Sequence, residues 1–376
     1  MVASNSTPLL FTPLQVGGIT LSHRVVMAPL TRVRANNAHV HQEIAIEYYN
    51  QRASPGTLII SEGTLIRGEA GGWENVPGIW SQDQIIAWRK ITDAVHNKGG
   101  FIFLQLWAVG RATSPEIMTS KGFKFVSPGN IPIEEGGPAP TPLTKDEILQ
   151  YVQWHAEAAR NAVNGAGFDG VEIHCGNGFL LDQFLQTTSN NRTDEFGGSV
   201  ENRSRFILLI AKAVTDAVGQ EKTGIRFTPH GRFGGMRMPD DPLEEQFTHV
   251  IKALRGAYPR FAYLHVTEPR VSGAEDVKAE DSGGSIMFAR KAWGDVQGSP
   301  FLAAGGYTRE KAIETVEKYG GAIVFGRSFL ANPDLPLRLK NGVELNDYDR
   351  STFYTKGPKG YTDYPFTQEI DIKGSL

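Results

Sequence analysis

The chain has 376 residues, of which 40% are hydrophobic and 21% are charged, and its formal net charge is −3. This length and balance suit one α/β barrel with insertions over residues 1–376, and the near-neutral charge excludes a strong field for nucleic acid or an anionic membrane. The single cysteine, Cys175, excludes an internal disulfide, an iron–sulfur cluster and a cysteine-rich zinc site, so we expect a small-molecule partner and the reducing cytoplasm.

Short, almost continuously apolar segments alternate along the chain with longer helical patterns. Strands that are covered on both faces have this character, and repeated strand–helix units predict a parallel sheet. The predicted strands are Val25–Pro29, Thr57–Gly63, Phe101–Trp107, Gly170–His174, Gly224–Thr228, Phe261–Val266, Pro300–Ala304 and Ala322–Phe325. The predicted helices are Ser81–Asn97, Thr144–Asn164, Ser199–Val218, Pro242–Arg255 and Thr308–Lys318, four of which open on an N-cap residue: Ser81, Thr144, Ser199 and Thr308. Eight such units predict a (β/α)8 barrel.

Three segments depart from the plain alternation. Phe11–Leu21 carries a Gly17-Gly18 pair between two β-like segments, which predicts a hairpin that caps the bottom of the barrel. Residues 113–142 are rich in Gly and Pro, interrupt the third strand–helix connection, and are long enough to form a lid beside the strand C-termini. The tail from Leu345 onward is too aromatic for a free linker, so we expect it to pack on the barrel.

Polar residues and glycines follow the predicted strands, at the end of the barrel where such folds place their active sites. Arg226 lies inside an otherwise apolar strand, so it needs a buried anionic or carbonyl partner. The glycines after the last two strands, together with an arginine, offer close backbone approach, free N–H donors and a fixed cation, which predicts a phosphorylated ligand. The whole set is Thr31, Gly63, Gln105, Trp107, His174, Asn177, Arg226, Gly305, Gly306, Gly326 and Arg327.

Nine ordered segments along the whole chain resemble one known family. They are Met27–Arg32, Ser61–Thr64, Gln105–Trp107, Gly170–His174, Asn177–Phe184, Arg192–Arg203, Phe325–Arg327, Asn332–Asp334 and Gly360–Pro365. In these segments the chain resembles the Old Yellow Enzyme family, and within it the fungal branch that includes chanoclavine aldehyde oxidoreductases. The resemblance implies an FMN-dependent enzyme on a (β/α)8 barrel. It further implies reduction by NADPH, an α,β-unsaturated aldehyde or ketone as substrate, and a place in fungal secondary metabolism.

The resemblance also implies a role for each matching position. Thr31 would bond the flavin near its O4 and N5 edge, and Gln105 and Arg226 would hold its pyrimidine end. His174 and Asn177 would bind the substrate carbonyl oxygen, where two fixed donors stabilise developing negative charge. Trp107 and Tyr354 would line the substrate pocket. The full implied cofactor-binding set is Pro29, Thr31, Gly63, Gln105, Arg226, Gly305, Gly306, Gly326 and Arg327.

The chain departs from the family pattern where catalysis uses a proton. Many members have a tyrosine at the position of Phe179, and its hydroxyl protonates the α-carbon after hydride transfer. Phenylalanine has no proton to give, so water or another side chain must supply it, with Cys175, Tyr307 and Tyr354 as the side-chain alternatives. Gly234 replaces a pocket asparagine of better-known members, and the loop Ser272–Ser282 is shortened, which leaves the choice of substrate open.

Three functions remain open from the sequence. The first is net NADPH-dependent reduction of the alkene, with solvent or another group as the acid. The second is redox-neutral isomerisation of an enal, because slow protonation gives the intermediate time to rotate. The third is a flavin-binding barrel without turnover, although a binding module has no need of the donors His174 and Asn177.

The remaining sequence features predict a structural role for the cysteine and no metal, membrane or nucleic-acid partner. Adjacent strand residues point to opposite faces, so Cys175 beside His174 is predicted to be a buried, inert thiol. His39 and His41 have no accompanying carboxylate or cysteine set, so we expect no metal site. The sequence has no apolar stretch of ~18 residues, so we expect no membrane span. Nucleic acid is not an expected partner, and a homodimer is left open.

Overall fold

The structure, a computed structural model, describes residues 7–278 and 282–368. Its eight barrel strands are β1 (Val25–Met27), β2 (Leu58–Ile60), β3 (Phe101–Trp107), β4 (Gly170–Cys175), β5 (Thr223–Phe227), β6 (Tyr263–Thr267), β7 (Phe301–Ala304) and β8 (Ala322–Phe325). Each strand pairs in parallel with the next, and β8 pairs with β1 through Val324 opposite Val26, so the sheet closes on itself. The predicted (β/α)8 barrel is confirmed.

The observed strand bounds agree with the sequence pattern except near the strand ends. Phe101–Trp107 and Ala322–Phe325 have the predicted bounds, and the largest difference occurs in β2. There regular pairing ends at Ile60, although the N–H of Ser61 still donates to the carbonyl of Phe103 at 2.8 Å, and a separate short strand, Thr64–Leu65, pairs with Leu106 and Trp107 of β3. The segment between them therefore follows β3 as an irregular, bulge-like step instead of extending β2.

Helices cover the outside of the barrel. The longer ones are Glu43–Arg52, Gln82–His96, Lys145–Arg160, Val200–Val218, Asp240–Ala257 and Arg309–Tyr319. Shorter ones are Pro115–Ser120, Leu180–Leu185, Met287–Trp293, Arg327–Ala331 and Leu335–Asn341. The predicted N-caps are confirmed, because Ser81, Thr144, Ser199 and Thr308 each accept a hydrogen bond from the backbone N–H three residues on. No helix within the described ranges is long and apolar enough to cross a membrane.

The predicted hairpin closes the end of the barrel opposite the strand C-termini. Leu14–Val16 pairs antiparallel with Ile19–Leu21, and its turn residue Gly17 has a φ of 51°. A Cβ atom at Gly17 would lie 2.0 Å from the carbonyl oxygen of Glu221, just before β5, so only glycine allows this approach. Val16 and Leu21 are buried against the apolar side chains that fill the lower barrel interior. The capping role predicted from the sequence is confirmed.

The predicted lid, residues 113–142, contains the helix Pro115–Ser120 and two short strands, Val126–Ser127 and Thr141–Pro142, that pair with each other. The buried guanidinium of Arg111 fastens it, because Nη1 donates to the carbonyl of Ile131 at 2.7 Å and Nη2 donates to the carbonyl of Gly234 at 3.2 Å. The lid is thereby joined to the loop that follows β5, at the C-terminal end of the strands.

The aromatic tail packs on the barrel as predicted, as far as residue 368. Arg32 donates from Nε to the carbonyl of Phe353 at 3.1 Å and from Nη2 to that of Gly360 at 2.6 Å. Arg52 donates to the carbonyl of Tyr361 at 3.1 Å, and the Tyr361 ring stacks on Tyr48 at 4.1 Å. These contacts bury the tail against the helix Glu43–Arg52, which the sequence pattern did not predict.

Candidate active site

A cavity of about 840 Å³ opens at the C-terminal ends of the strands, a volume typical of small-molecule and cofactor sites. The structure brings every predicted site residue to its wall. These are Pro29, Thr31, Gly63, Gln105, Trp107, His174, Asn177, Phe179, Arg226, Gly305, Gly306, Gly326, Arg327 and Tyr354. All of these residues can therefore contact the same bound molecule.

The alternation of β4 decides which of its residues meet the cavity. His174 faces inward, opposite Arg226 of β5 in the strand register. Cys175 faces outward into the layer between strands and helices, where it is fully buried. The predicted burial of the Cys175 thiol is confirmed, and this burial raises the pKa of the thiol well above its ordinary value.

His174 offers the cavity a neutral imidazole. Burial, reinforced by the charge of Arg226, holds the pKa of His174 well below its ordinary value. Its Nδ1 atom has no hydrogen-bond partner among the residues that the structure describes. A neutral ring carries one N–H, so His174 can donate one hydrogen bond without adding a positive charge.

Asn177 follows β4 in a strained backbone conformation. Its φ is 54°, in the left-handed region that asparagine tolerates better than most residues. The backbone N–H of Asn177 donates to Thr228 Oγ1 at 2.6 Å, which ties this turn to the end of β5. A strained backbone is retained only where the surrounding contacts hold it, and such positions are frequent in active sites. The structure thus holds Asn177 at the cavity wall beside the strand that carries His174.

An aromatic wall lies next to His174. The Phe179 ring is 5.1 Å from the His174 ring and 4.9 Å from that of Trp107, measured between centroids. Trp73 and Phe233, which the sequence analysis did not select, complete the wall at 6.4 and 6.0 Å from Phe179. Both lie on loops outside the barrel strands, so the strand pattern gave no signal for them. This side of the cavity suits a flat, apolar molecule.

Gly234 stands at the position where the resemblance implied a pocket asparagine. Its neighbour Phe233 contributes to the cavity wall, whereas Gly234 is not among the residues that line the described cavity. Gly234 has a φ of 69° and accepts a hydrogen bond from Arg111 through its carbonyl. The glycine therefore shapes the loop that presents Phe233.

The glycines after β7 and β8 form the opposite end of the cavity. Gly305 and Gly306 have φ values of 108° and 65°, which side chains rarely adopt. Gly326 differs, because its φ is −94° and a Cβ there would make ordinary contact with Leu30 at 3.5 Å. The fold itself tolerates a side chain at Gly326, so the glycine keeps space free in the cavity.

Arg327 lies at this same end, with a partner that the sequence did not reveal. Its Nη1 donates to Asp276 Oδ2 at 2.6 Å, and Nη2 contacts the other oxygen of the same carboxylate. Asp276 belongs to the hairpin formed by Val271–Ser272 and Glu275–Asp276, within the loop that was predicted to be short. Arg350 also donates to Asp276, at 3.1 Å. Arg327, which the sequence predicts to bind a phosphate, therefore also pairs with the carboxylate of Asp276.

Comparison with known proteins identifies the family. Residues 9–346 match the model of the NADH:flavin oxidoreductase / NADH oxidase family. The chain belongs to this family. It is an Old Yellow Enzyme-type, FMN-dependent oxidoreductase.

Similar proteins agree with this assignment. The flavin oxidoreductase described here is 50% identical to the NADP-dependent oxidoreductase lnbE of Aspergillus flavus, over 96% of this chain and 98% of the relative. It is 47% identical to the chanoclavine-I aldehyde reductase fgaOx3 of Penicillium roqueforti, over 96% and 97%. It is 45% identical to a probable inactive dehydrogenase, easA, of Claviceps fusiformis, over 97% and 96%. The old yellow enzyme homologue from Zymomonas mobilis superposes with a TM-score of 0.86 and 39% identity, over 95% of this chain and 99% of that one.

The cavity of this flavin oxidoreductase fits FMN on independent grounds. Arg226 lines the cavity, and its buried Nε–H has no partner among the described residues, so it is available to a bound group. Gly326 leaves room that a Cβ would fill, and Arg327 places a cation beside it. A polar group at one end and a glycine-lined cation at the other match a cofactor with a polar ring edge and a phosphate.

Proposed function

We propose that this protein is an NADPH-linked ene-reductase that acts on the C=C bond of α,β-unsaturated aldehydes or ketones in fungal secondary metabolism. One observation carries the proposal: His174 and Asn177 line the same cavity as Arg226 and the glycines Gly305 and Gly306. The names of the two most similar relatives given above, an NADP-dependent oxidoreductase and an aldehyde reductase, support it. A single, buried cysteine agrees with action in the reducing cytoplasm.

Different residues around the cavity are proposed to bind different parts of FMN. Thr31 and Pro29 would hold the O4 and N5 edge of the flavin, Gln105 and Arg226 would hold its pyrimidine end, and Gly63 would allow close approach. The glycines after β7 and β8, with Arg327, would bind the phosphate. When bound, FMN supplies hydride transfer between NADPH and the alkene.

His174 and Asn177 are proposed to bind the carbonyl oxygen of the substrate. An α,β-unsaturated carbonyl compound gathers negative charge on this oxygen when its β-carbon is reduced. Two donors fixed by the fold stabilise that charge without reorganisation, and each such donor is typically worth ~10²–10³ in turnover. The depressed pKa of His174 means that it acts as a neutral donor.

The proton for the α-carbon has few sources in this cavity. Cys175 faces away from it, and Tyr307 already donates its O–H to Glu268 Oε1 at 3.0 Å. Tyr354 lines the cavity and is 54% exposed, so it can exchange protons with solvent. We therefore propose solvent, with or without Tyr354, as the proton source in place of the absent tyrosine at position 179.

Redox-neutral isomerisation is the second candidate, and Phe179 is the observation that favours it. The ring at this position packs among Trp107, Trp73 and Phe233, so its immediate aromatic neighbours add no carboxyl or hydroxyl acid. Delayed protonation would allow rotation about the former double bond before the hydride returns.

Product analysis with purified protein distinguishes these functions. A panel of small enals is incubated with the FMN-loaded protein, with stoichiometric NADPH or with only enough NADPH to reduce the FMN once. Saturated product in proportion to NADPH supports reduction, whereas isomerised product in excess of NADPH supports isomerisation. If NADPH fails to bleach the bound FMN under anaerobic conditions, both are refuted. The chain is then a flavin-binding barrel without turnover.

A further inference from the structure

A polar layer lies inside the barrel directly beneath the cavity. Gln105 of β3 stands opposite Glu172 of β4 in the strand register, and Arg226 of β5 stands opposite His265 of β6. Gln105 and Arg226 line the cavity, whereas Glu172 and His265 do not and are both 0% exposed. The sequence analysis assigned no role to Glu172 or His265.

Glu172 is a buried carboxylate held from two sides. Its Oε1 accepts a hydrogen bond from Gln105 Nε2 at 2.7 Å, and its Oε2 accepts one from His265 Nδ1 at 2.8 Å. Burial lowers the pKa of His265 although Glu172 opposes the shift, so the imidazole is a neutral donor. Removing a carboxylate from water is costly unless nearby groups compensate, and Glu172 has two hydrogen-bond donors together with the positive charge of Arg226 beside it.

This arrangement decides which end of the Gln105 amide faces the cavity. A carboxylate only accepts hydrogen bonds, so the amide nitrogen of Gln105 must point to Glu172. The amide oxygen is then left beside Gly63, where a Cβ atom would lie 3.5 Å from it. Gln105 thus presents a hydrogen-bond acceptor to the cavity, and Arg226 presents donors. The acceptor and the donors together complement adjacent N–H and C=O groups on the edge of a pyrimidine ring.

We propose that Glu172 is a positioning residue with two effects on bound FMN. It fixes the amide of Gln105 with its oxygen toward the cofactor, and its buried negative charge lowers the midpoint potential. The second effect follows because reduction adds electrons to the cofactor, and a nearby anion in a low-dielectric interior disfavours added negative charge. The proposal rests on FMN binding and is independent of the alkene substrate.

The test uses the FMN-loaded Glu172→Gln protein, which keeps the side-chain size and removes the charge. Spectroelectrochemistry with mediator dyes should give a more positive midpoint potential. A tenfold change in the ratio of affinities for reduced and oxidised FMN corresponds to about 30 mV for a two-electron couple. Asp182→Asn is the matched control, because Asp182 is also fully buried and accepts from a glutamine amide, Gln186 Nε2, at 2.8 Å. An unchanged potential in Glu172→Gln, or an equal shift in the control, overturns the electrostatic effect.

The orientation effect is tested by a double-mutant cycle on the dissociation constant of FMN. If Glu172 acts through Gln105, the affinity losses of Glu172→Gln and Gln105→Leu should be markedly less than additive when combined. Additive losses overturn this part of the proposal.

Glu172→Asp provides an independent test if the Gln variant does not fold. It keeps the charge but shortens the reach, so it should retain the midpoint potential and bind FMN more weakly. A retained affinity refutes the orientation effect, and a potential as positive as that expected for Glu172→Gln refutes the electrostatic effect.

Discussion

Replacing Phe179 with tyrosine restores the acid that the family pattern places at this position. Phe179 is 8% exposed, lines the cavity, and has its ring centroid 5.1 Å from that of His174. The added hydroxyl is therefore expected inside the cavity near the proposed carbonyl site. If proton transfer limits net reduction, a positioned general acid raises the rate by up to ~10²-fold, the lower end of its usual range.

This gain corresponds to about 2.7 kcal/mol of barrier, at about 1.36 kcal/mol for each tenfold change. The opposing cost arises if the new hydroxyl lies against the aromatic wall without a hydrogen-bond partner, which would cost up to ~1–3 kcal/mol of stability. The two effects are separable, because the first changes product formation and the second changes the melting temperature. Faster protonation should also suppress any isomerised product.

The assay is single-turnover reoxidation of the reduced FMN by an enal, with products separated by chromatography. Phe233→Tyr is the matched control, since it adds a phenol to the same cavity at a ring 6.0 Å from Phe179 and 42% exposed. Only Phe179→Tyr should raise the yield of saturated product. If both variants and the unmodified protein give the same products at the same rates, the absent tyrosine is irrelevant and the isomerase proposal loses its support.

Three further predictions test the site and the fold. Replacing both His174 and Asn177 with alanine should abolish the long-wavelength charge-transfer band that a bound phenol gives while FMN stays bound; an undiminished band contradicts the carbonyl site. Gly326→Ala should fold normally but bind FMN at least tenfold more weakly, whereas Gly256→Ala, where a Cβ would meet no described atom within 4 Å, should not. Equal dissociation constants for FMN in the two variants would contradict the proposal that Gly326 leaves space for the cofactor. Burial raises the pKa of Glu62 from 4.5 to about 7, so the folded protein holds a proton that the unfolded chain has lost. The contribution of Glu62 to the unfolding free energy should therefore decline by up to about 3 kcal/mol as the pH rises from about 4.5 to 7. Urea unfolding across this range should show a smaller decline for Glu62→Gln, and parallel curves would refute the assignment.

The sequence by itself determined the barrel and the positions of the candidate site residues. Strand periodicity and N-caps are local patterns, so β3 and β8 could be bounded from neighbouring residues alone. In a parallel barrel the strand C-termini share one end, so residues such as His174 and Arg226 had to meet once their strands were recognised.

Only the tertiary structure decided which groups surround those residues. Glu172 and His265 lie 93 positions apart, and Asp276 and Arg327 lie 51 apart, so no local pattern pairs them. The aromatic wall depends on Trp73 and Phe233, whose loops are positioned by contacts with other segments. The helix Glu43–Arg52 likewise buries Tyr48 against the tail residue Tyr361. Contacts between distant segments arise only when the barrel closes, and these contacts determine the hydrogen bonding, charge and shape of the cavity.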